Sequence, residues 1–86
     1  MKSSNLNAAF GRVLSKLRKQ RSWSQEYLGF ECELARNYIS MLERGERSPT
    51  LNTISQICKS LEISEDEMVR LTLRDAEETD NASKVD

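Results

Sequence analysis

Apolar positions recur along this chain on a helical period. Leu6, Phe10, Val13, Leu14 and Leu17 fall at i, i+4, i+7, i+8 and i+11, an unbroken stripe that predicts helix 1 over residues 6–20, with Asn5 as its cap. Trp23-Ser24-Gln25-Glu26 reads as a fresh start, because Ser24 suits an N-cap, Glu26 suits the positive end of the helix dipole and Trp23 can fold onto Leu28. Helix 2 is therefore short, over residues 25–31. After the connection Cys32-Glu33-Leu34, residues 35–44 form helix 3, which stops at Gly45, a natural left-handed closing residue. Gly45-Glu46-Arg47-Ser48-Pro49 is the clear loop. Thr50 then caps helix 4, whose Leu51, Ile54, Ile57, Cys58 and Leu61 make a second stripe. Helix 5 has the strongest start signal: Ser64 and Glu67 at capping-box spacing, Ile63 opposite Met68, and Glu65 and Asp66 in the first turn. The predicted fold class is all-α, five helices in one domain over residues 1–80. From Asn81 onward periodicity is lost, and residues 81–86 are expected to form a disordered tail.

Composition agrees with this outline. Eighty-six residues suit one domain rather than two, and a single Pro with three Gly leaves long stretches uninterrupted. No apolar run approaches the roughly 20 residues that cross a bilayer, and the N-terminal residues lead into an amphipathic segment rather than a signal-peptide core, so a cytoplasmic protein is expected. Cys32 and Cys58 stand where helical periodicity wants small apolar residues, without metal-ligand spacing, and read as core. The chain has no His, no glycine-rich phosphate loop and no nucleophile beside a base, so hydrolytic and metal chemistry lack their usual parts. No enzyme activity, cofactor, metal or small-molecule ligand is expected.

The net charge of −1 conceals a dipolar molecule. Residues 1–63 carry ten Lys/Arg against six Asp/Glu, whereas residues 64–86 carry three against eight. A basic body can face phosphates while an acidic tail points away, so the near-neutral sum does not oppose nucleic-acid binding.

Two short helices joined by a tight turn and bracketed by packing helices match a helix-turn-helix, in which the second helix enters the major groove. Taking Ala35 as the origin and adding 100° per residue puts Ala35, Tyr38, Ile39 and Leu42 within about 60° of one direction, the apolar face. Arg36, Asn37, Ser40, Met41 and Arg44 lie opposite. An ordinary solvated face mixes Glu and Lys, but this one offers Arg, Asn and Ser without an acid. Arg and Asn are the side chains suited to bidentate pairing with guanine and adenine edges.

These residues carry a resemblance. Leu17-Arg18, Trp23-Ser24-Gln25, Leu28, the run from Arg36 to Ser40, Leu42-Glu43-Arg44-Gly45 and Ser48-Pro49-Thr50-Leu51 together resemble the lambda-repressor/Cro-like helix-turn-helix family of phage and bacterial regulators, over roughly residues 10–69. The resemblance implies that Arg36, Asn37, Ser40 and Met41 face base edges. Gln25, Tyr38, Arg44, Arg47 and Ser48 would meet phosphates, Gln25 from the N-terminus of helix 2. It also implies a structural ion pair between Arg18 and Glu43 that orients helix 3 without adding much stability. The chain departs from the family where Gly is common, at Ser22, Glu33 and Glu62, and at Ala35, where a Ser, Thr or Asp cap is usual. Each departure should weaken a helix end by roughly 0.5–1 kcal/mol. Gly29, where the family usually has Ala, permits a close approach of helices 2 and 3 while loosening helix 2.

Helix 5 offers Met68, Leu71 and Thr72 as one stripe and Val69, Leu73 and Ala76 as another. One would close the core. The other is expected to form a homodimer interface, giving a two-fold protein that reads a pseudo-palindromic double-stranded DNA operator. The length and five helices favour a restriction-modification controller among such regulators, with phage or host repressors as further fits. Activation would then accompany repression, and an acidic patch of Glu43 with Glu46 could touch RNA polymerase. An antitoxin or other protein-interaction module on the same fold is the alternative, separable by whether Arg36→Ala abolishes DNA binding and spares partner binding.

Overall fold

The computed structural model describes the backbone of residues 5–83 and the side chains of residues 6–80. It consists of α1 (Asn5–Gln20), α2 (Gln25–Cys32), α3 (Arg36–Glu43), α4 (Leu51–Leu61) and α5 (Glu65–Ser83). The boundaries follow local chemistry. Ser24 Oγ accepts from the Tyr27 N–H at 2.9 Å, Thr50 Oγ1 from the Thr53 N–H at 3.0 Å and Ser64 Oγ from the Glu67 N–H at 3.2 Å, so three helices begin on hydroxyl caps. The Glu67 carboxylate, which a full capping box would turn back onto Ser64, is paired with Arg70 instead.

The helix ends that depart from the family pattern have the backbone geometry that glycine or a polar cap would relieve. Ser22, Glu33 and Glu62 sit at φ of 60°, 60° and 56°, left-handed conformations that a Cβ disfavours. Ala35 caps α3 with no side-chain hydrogen bond. Gly45, at φ 75°, closes the turn after α3 as expected.

The core gathers Phe10, Val13 and Leu14 of α1, Leu28 and Cys32 of α2, Ile39 and Leu42 of α3, Ile57, Cys58 and Leu61 of α4, and Met68 of α5. Both cysteines are buried and free, and desolvation pushes the Cys58 thiol up to about 11, which keeps it protonated and inert at neutral pH. The helix 3 scaffold is fixed by two devices. Gly11 lets α1 touch the end of α3 so closely that a Cβ there would lie 2.4 Å from the Leu42 carbonyl oxygen. In addition, α4 holds the end of α2, with Gln56 Nε2 donating to the Cys32 carbonyl at 3.1 Å and Ser60 Oγ to the Glu31 carbonyl at 3.1 Å, groups that a helix terminus leaves open.

Several expectations need correction. Ala35 is exposed rather than part of the apolar face of α3, and Leu51 is 84% exposed, because each stands at a helix end that the core does not reach. Helix α2 extends one residue further, to Cys32, and α5 continues to Ser83, three residues into the segment expected to lack structure. Residues 84–86 of that segment, and the Asn5 side chain with the capping role expected of it, lie outside the described residues. Ala76 lies on the same side of α5 as Val69 and Leu73, at i+7 and i+3, yet unlike them it is covered within the chain. It is 9% exposed and continues the inward stripe of Met68 and Thr72 at i+4 spacing, because α5 packs along α1 over a wider arc than the sequence stripes indicate.

Candidate nucleic-acid interface

Helix α3 presents Arg36 and Asn37 to solvent, with Arg44 exposed at its C-cap and Ser40 and Met41 half-buried beside them. Ile39 and Leu42 on the opposite side are wholly buried and anchor the helix. The polar face thus stands outward on a helix that its apolar face cannot leave.

The orientation of α3 is fixed by a charged network on its flank. Arg18 makes a bidentate pair with Glu43, Nε to Oε2 at 2.7 Å and Nη2 to Oε1 at 2.9 Å, and donates Nη1 to the Trp23 carbonyl at 2.8 Å. Both side chains are about nine-tenths buried, at 10% and 7% exposure. Burial would push the Glu43 carboxyl up, but the hydrogen bonds from Arg18 and Gln25, with the charges of Arg18 and Lys19, outweigh it and hold the group below its ordinary value. The hydrogen bond to Glu43 likewise raises Arg18, against its own desolvation. The geometry of the ion pair that the resemblance implies is therefore present.

Gln25 is drawn into this network. Its Nε2 donates to Glu43 Oε1 at 2.9 Å, so one amide N–H points at the ion pair rather than outward. The residue still opens α2, beside the free first-turn N–H groups that suit an anion.

On the other flank, Tyr38 is half-buried, its hydroxyl 3.4 Å from Thr53 Oγ1, while the Arg47 guanidinium lies 5.8 Å from its ring centroid. Tyr38 thus links the start of α4 to a cation of the α3–α4 loop, where Ser48 is also exposed. Arg44 is engaged as well: Nε and Nη2 donate to Glu46 at 2.8 and 3.0 Å, and Nη1 to Ser40 Oγ. The acidic patch expected of Glu43 with Glu46 is not formed. Glu43 is enclosed by Arg18, and Glu46, though exposed, has its charge offset by Arg44.

Sequence reasoning missed three contributors. Thr53 receives the Thr50 hydroxyl at 3.1 Å as well as contacting Tyr38, Arg12 pairs with Asp75 across α1 and α5 at 2.6 Å, and Arg21 donates to the Leu61 carbonyl. Apart from the Thr50–Thr53 bond, these contacts join residues far apart in the chain, and no local pattern signals them. Among the described residues no group of His, Cys, Asp or Glu could hold a metal ion, and no helix is long and apolar enough to cross a membrane.

A helix-turn-helix supported by α1, α4 and α5, with the second helix outward, defines a DNA-binding regulator fold. The helix-turn-helix family model matches residues 14–68, and the chain belongs to that family, alongside the control proteins of restriction-modification systems. It is 38% identical over 71 residues to the control protein C.BamHI of Bacillus amyloliquefaciens, covering 81% of this chain and 88% of that one. Among solved structures, the controller protein C.AhdI of Aeromonas hydrophila superposes with a TM-score of 0.69 at 36% identity, over 71% of this chain and 92% of that one. The controller protein C.Esp1396I, solved as a tetramer with its natural 35 base-pair operator, gives 0.74 at 30% identity, over 83% and 93%.

Proposed function

We propose that this chain is the transcriptional controller of a restriction-modification system, binding a double-stranded operator with α3 in the major groove. The observation that carries this reading is the acid-free outward face of Arg36, Asn37, Ser40 and Met41 on a helix locked by the Arg18–Glu43 pair. Arg36 and Asn37 are the base-reading residues, with Ser40 and Met41 contacting the edges nearer the helix axis. Gln25, Tyr38, Arg44, Arg47 and Ser48 hold the phosphates on either side.

A single α3 spans only a few base pairs, so the protein acts as a homodimer on a pseudo-palindrome. Val69 and Leu73, 46% and 53% exposed on the outer face of α5, are the apolar residues available for that contact. Relatives that share most of this length and act as controllers, one of them on an operator, support the assignment. The reading also places the protein in the cytoplasm, where its DNA lies.

The test is selection of bound duplexes from a random pool at fixed salt, followed by titration of Arg36→Ala. A recovered palindrome is expected, and the variant should lose about 1–3 kcal/mol of discrimination at one base position while retaining affinity for unrelated duplex. Equal affinity of the natural protein for every duplex would overturn the proposal.

A further inference from the structure

Helix α1 carries a cationic groove for which the helix-turn-helix reading has no use. Arg12, Ser15, Lys16, Lys19 and Gln20 line it, and Glu43 at the end of α3 forms its far wall. It therefore begins at the flank of the reading helix and next to Gln25, whose amide lies on the same carboxylate. Each acid around it is accounted for. Glu43 is taken up by Arg18 and Gln25, and Asp75, on the α5 side, is held by Arg12. Glu78 of α5 approaches only the rear, where Lys16 and Gln20 also face Leu71 and Arg74. Lys16 and Lys19 are exposed and have no ion-pair partner among the described residues, although Lys19 lies close enough to Glu43 to act on it through space.

We infer that the Lys16 and Lys19 face of α1 is a further DNA-backbone site, which binds phosphodiesters continuing outward from the strand that meets the N-terminus of α2. This inference rests on the proposed insertion of α3 in the major groove. Two ammonium groups at i and i+3 lie on one side of a helix, where they can follow consecutive phosphates, and Ser15 and Gln20 add neutral donors. Ammonium groups recognise phosphate as point charges without reading sequence. The site therefore adds affinity and register but no discrimination.

The test compares the full-length protein with Lys16→Ala/Lys19→Ala and with Lys16→Arg/Lys19→Arg, each titrated on its selected operator and on unrelated duplex over a range of salt. Each phosphate contact contributes about 0.9 to the slope of log affinity against log salt, so the alanine pair should be shallower by about 1.8. Its loss of affinity should be about twelvefold larger at 50 mM than at 200 mM salt, and equal on both duplexes. The arginine pair should retain the natural slope.

An unchanged slope in the alanine pair, while the natural protein still prefers its operator, would overturn this inference and leave the controller reading standing. Loss of operator preference in the natural protein would instead defeat the controller reading. A weaker alanine pair whose defect tracks lost self-association in sedimentation would assign the groove to the acidic α5 of a second copy, and would also overturn the inference.

Discussion

Glu33 is one of three non-glycine residues, among those described, that are held in the left-handed conformation. It follows α2 at φ 60°, ψ 41°, with its N–H bonded to the Gly29 and Phe30 carbonyls, in the turn that sets the angle between α2 and α3. An L-residue in that conformation costs about 1–2 kcal/mol, of which glycine returns part through its greater freedom in the unfolded chain, leaving a net gain of roughly 0.5–1 kcal/mol for Glu33→Gly. For a domain of this size the gain corresponds to a rise in melting temperature of roughly 2–8 °C. Thermal unfolding followed by circular dichroism, at fixed protein concentration because association shifts the midpoint, measures it. Glu33→Ala separates the causes. It also removes a negative charge from a helix C-terminus, worth about 0.3–1 kcal/mol, but keeps the Cβ. The glycine variant must exceed the alanine variant, and equal midpoints, or a midpoint below that of the natural protein, would refute the strain argument. Ser22 and Glu62 share the conformation, so the same substitution there should act in the same direction.

Three further outcomes follow from the contacts around α3. Gly11→Ala should destabilise by about 1–3 kcal/mol in urea unfolding, because its Cβ would meet the Leu42 and Glu43 carbonyl oxygens at 2.4 and 2.5 Å, backbone atoms with little freedom to yield. Glu46→Ala frees Arg44 from an exposed, solvent-screened pair, so operator affinity should rise by at most about fivefold; weaker binding would show that Glu46 positions Arg44 rather than competing for it. Because the Glu43 carboxyl is held below its ordinary value near 4.5, its contribution is complete above the unfolded value and is lost as pH falls through the folded one. Glu43→Gln should thus flatten the acid limb of a stability–pH profile, while costing about 3 kcal/mol at neutral pH by leaving Arg18 buried without its partner.

Period and caps determined the helices. Ser24, Thr50 and Ser64 mark helix starts through contacts that span three residues, and chemistry of that range is written in the order of the residues. The outward face of α3 was legible for the same reason, since a period of 3.6 separates Arg36 and Asn37 from Ile39 and Leu42 without reference to the rest of the molecule. Tertiary structure decided how far burial extends and how charges pair. Ala76 looked like an outer residue until α5 lay along α1, Leu51 looked like core until packing left the start of α4 in solvent, and Glu43 and Glu46 looked like one acidic patch until Arg18 and Arg44 each claimed one of them. Residues 18 and 43 meet only after α1 and α3 have packed. A helical pattern fixes direction around its own axis, whereas depth and partnership depend on what the other helices bring to the same place.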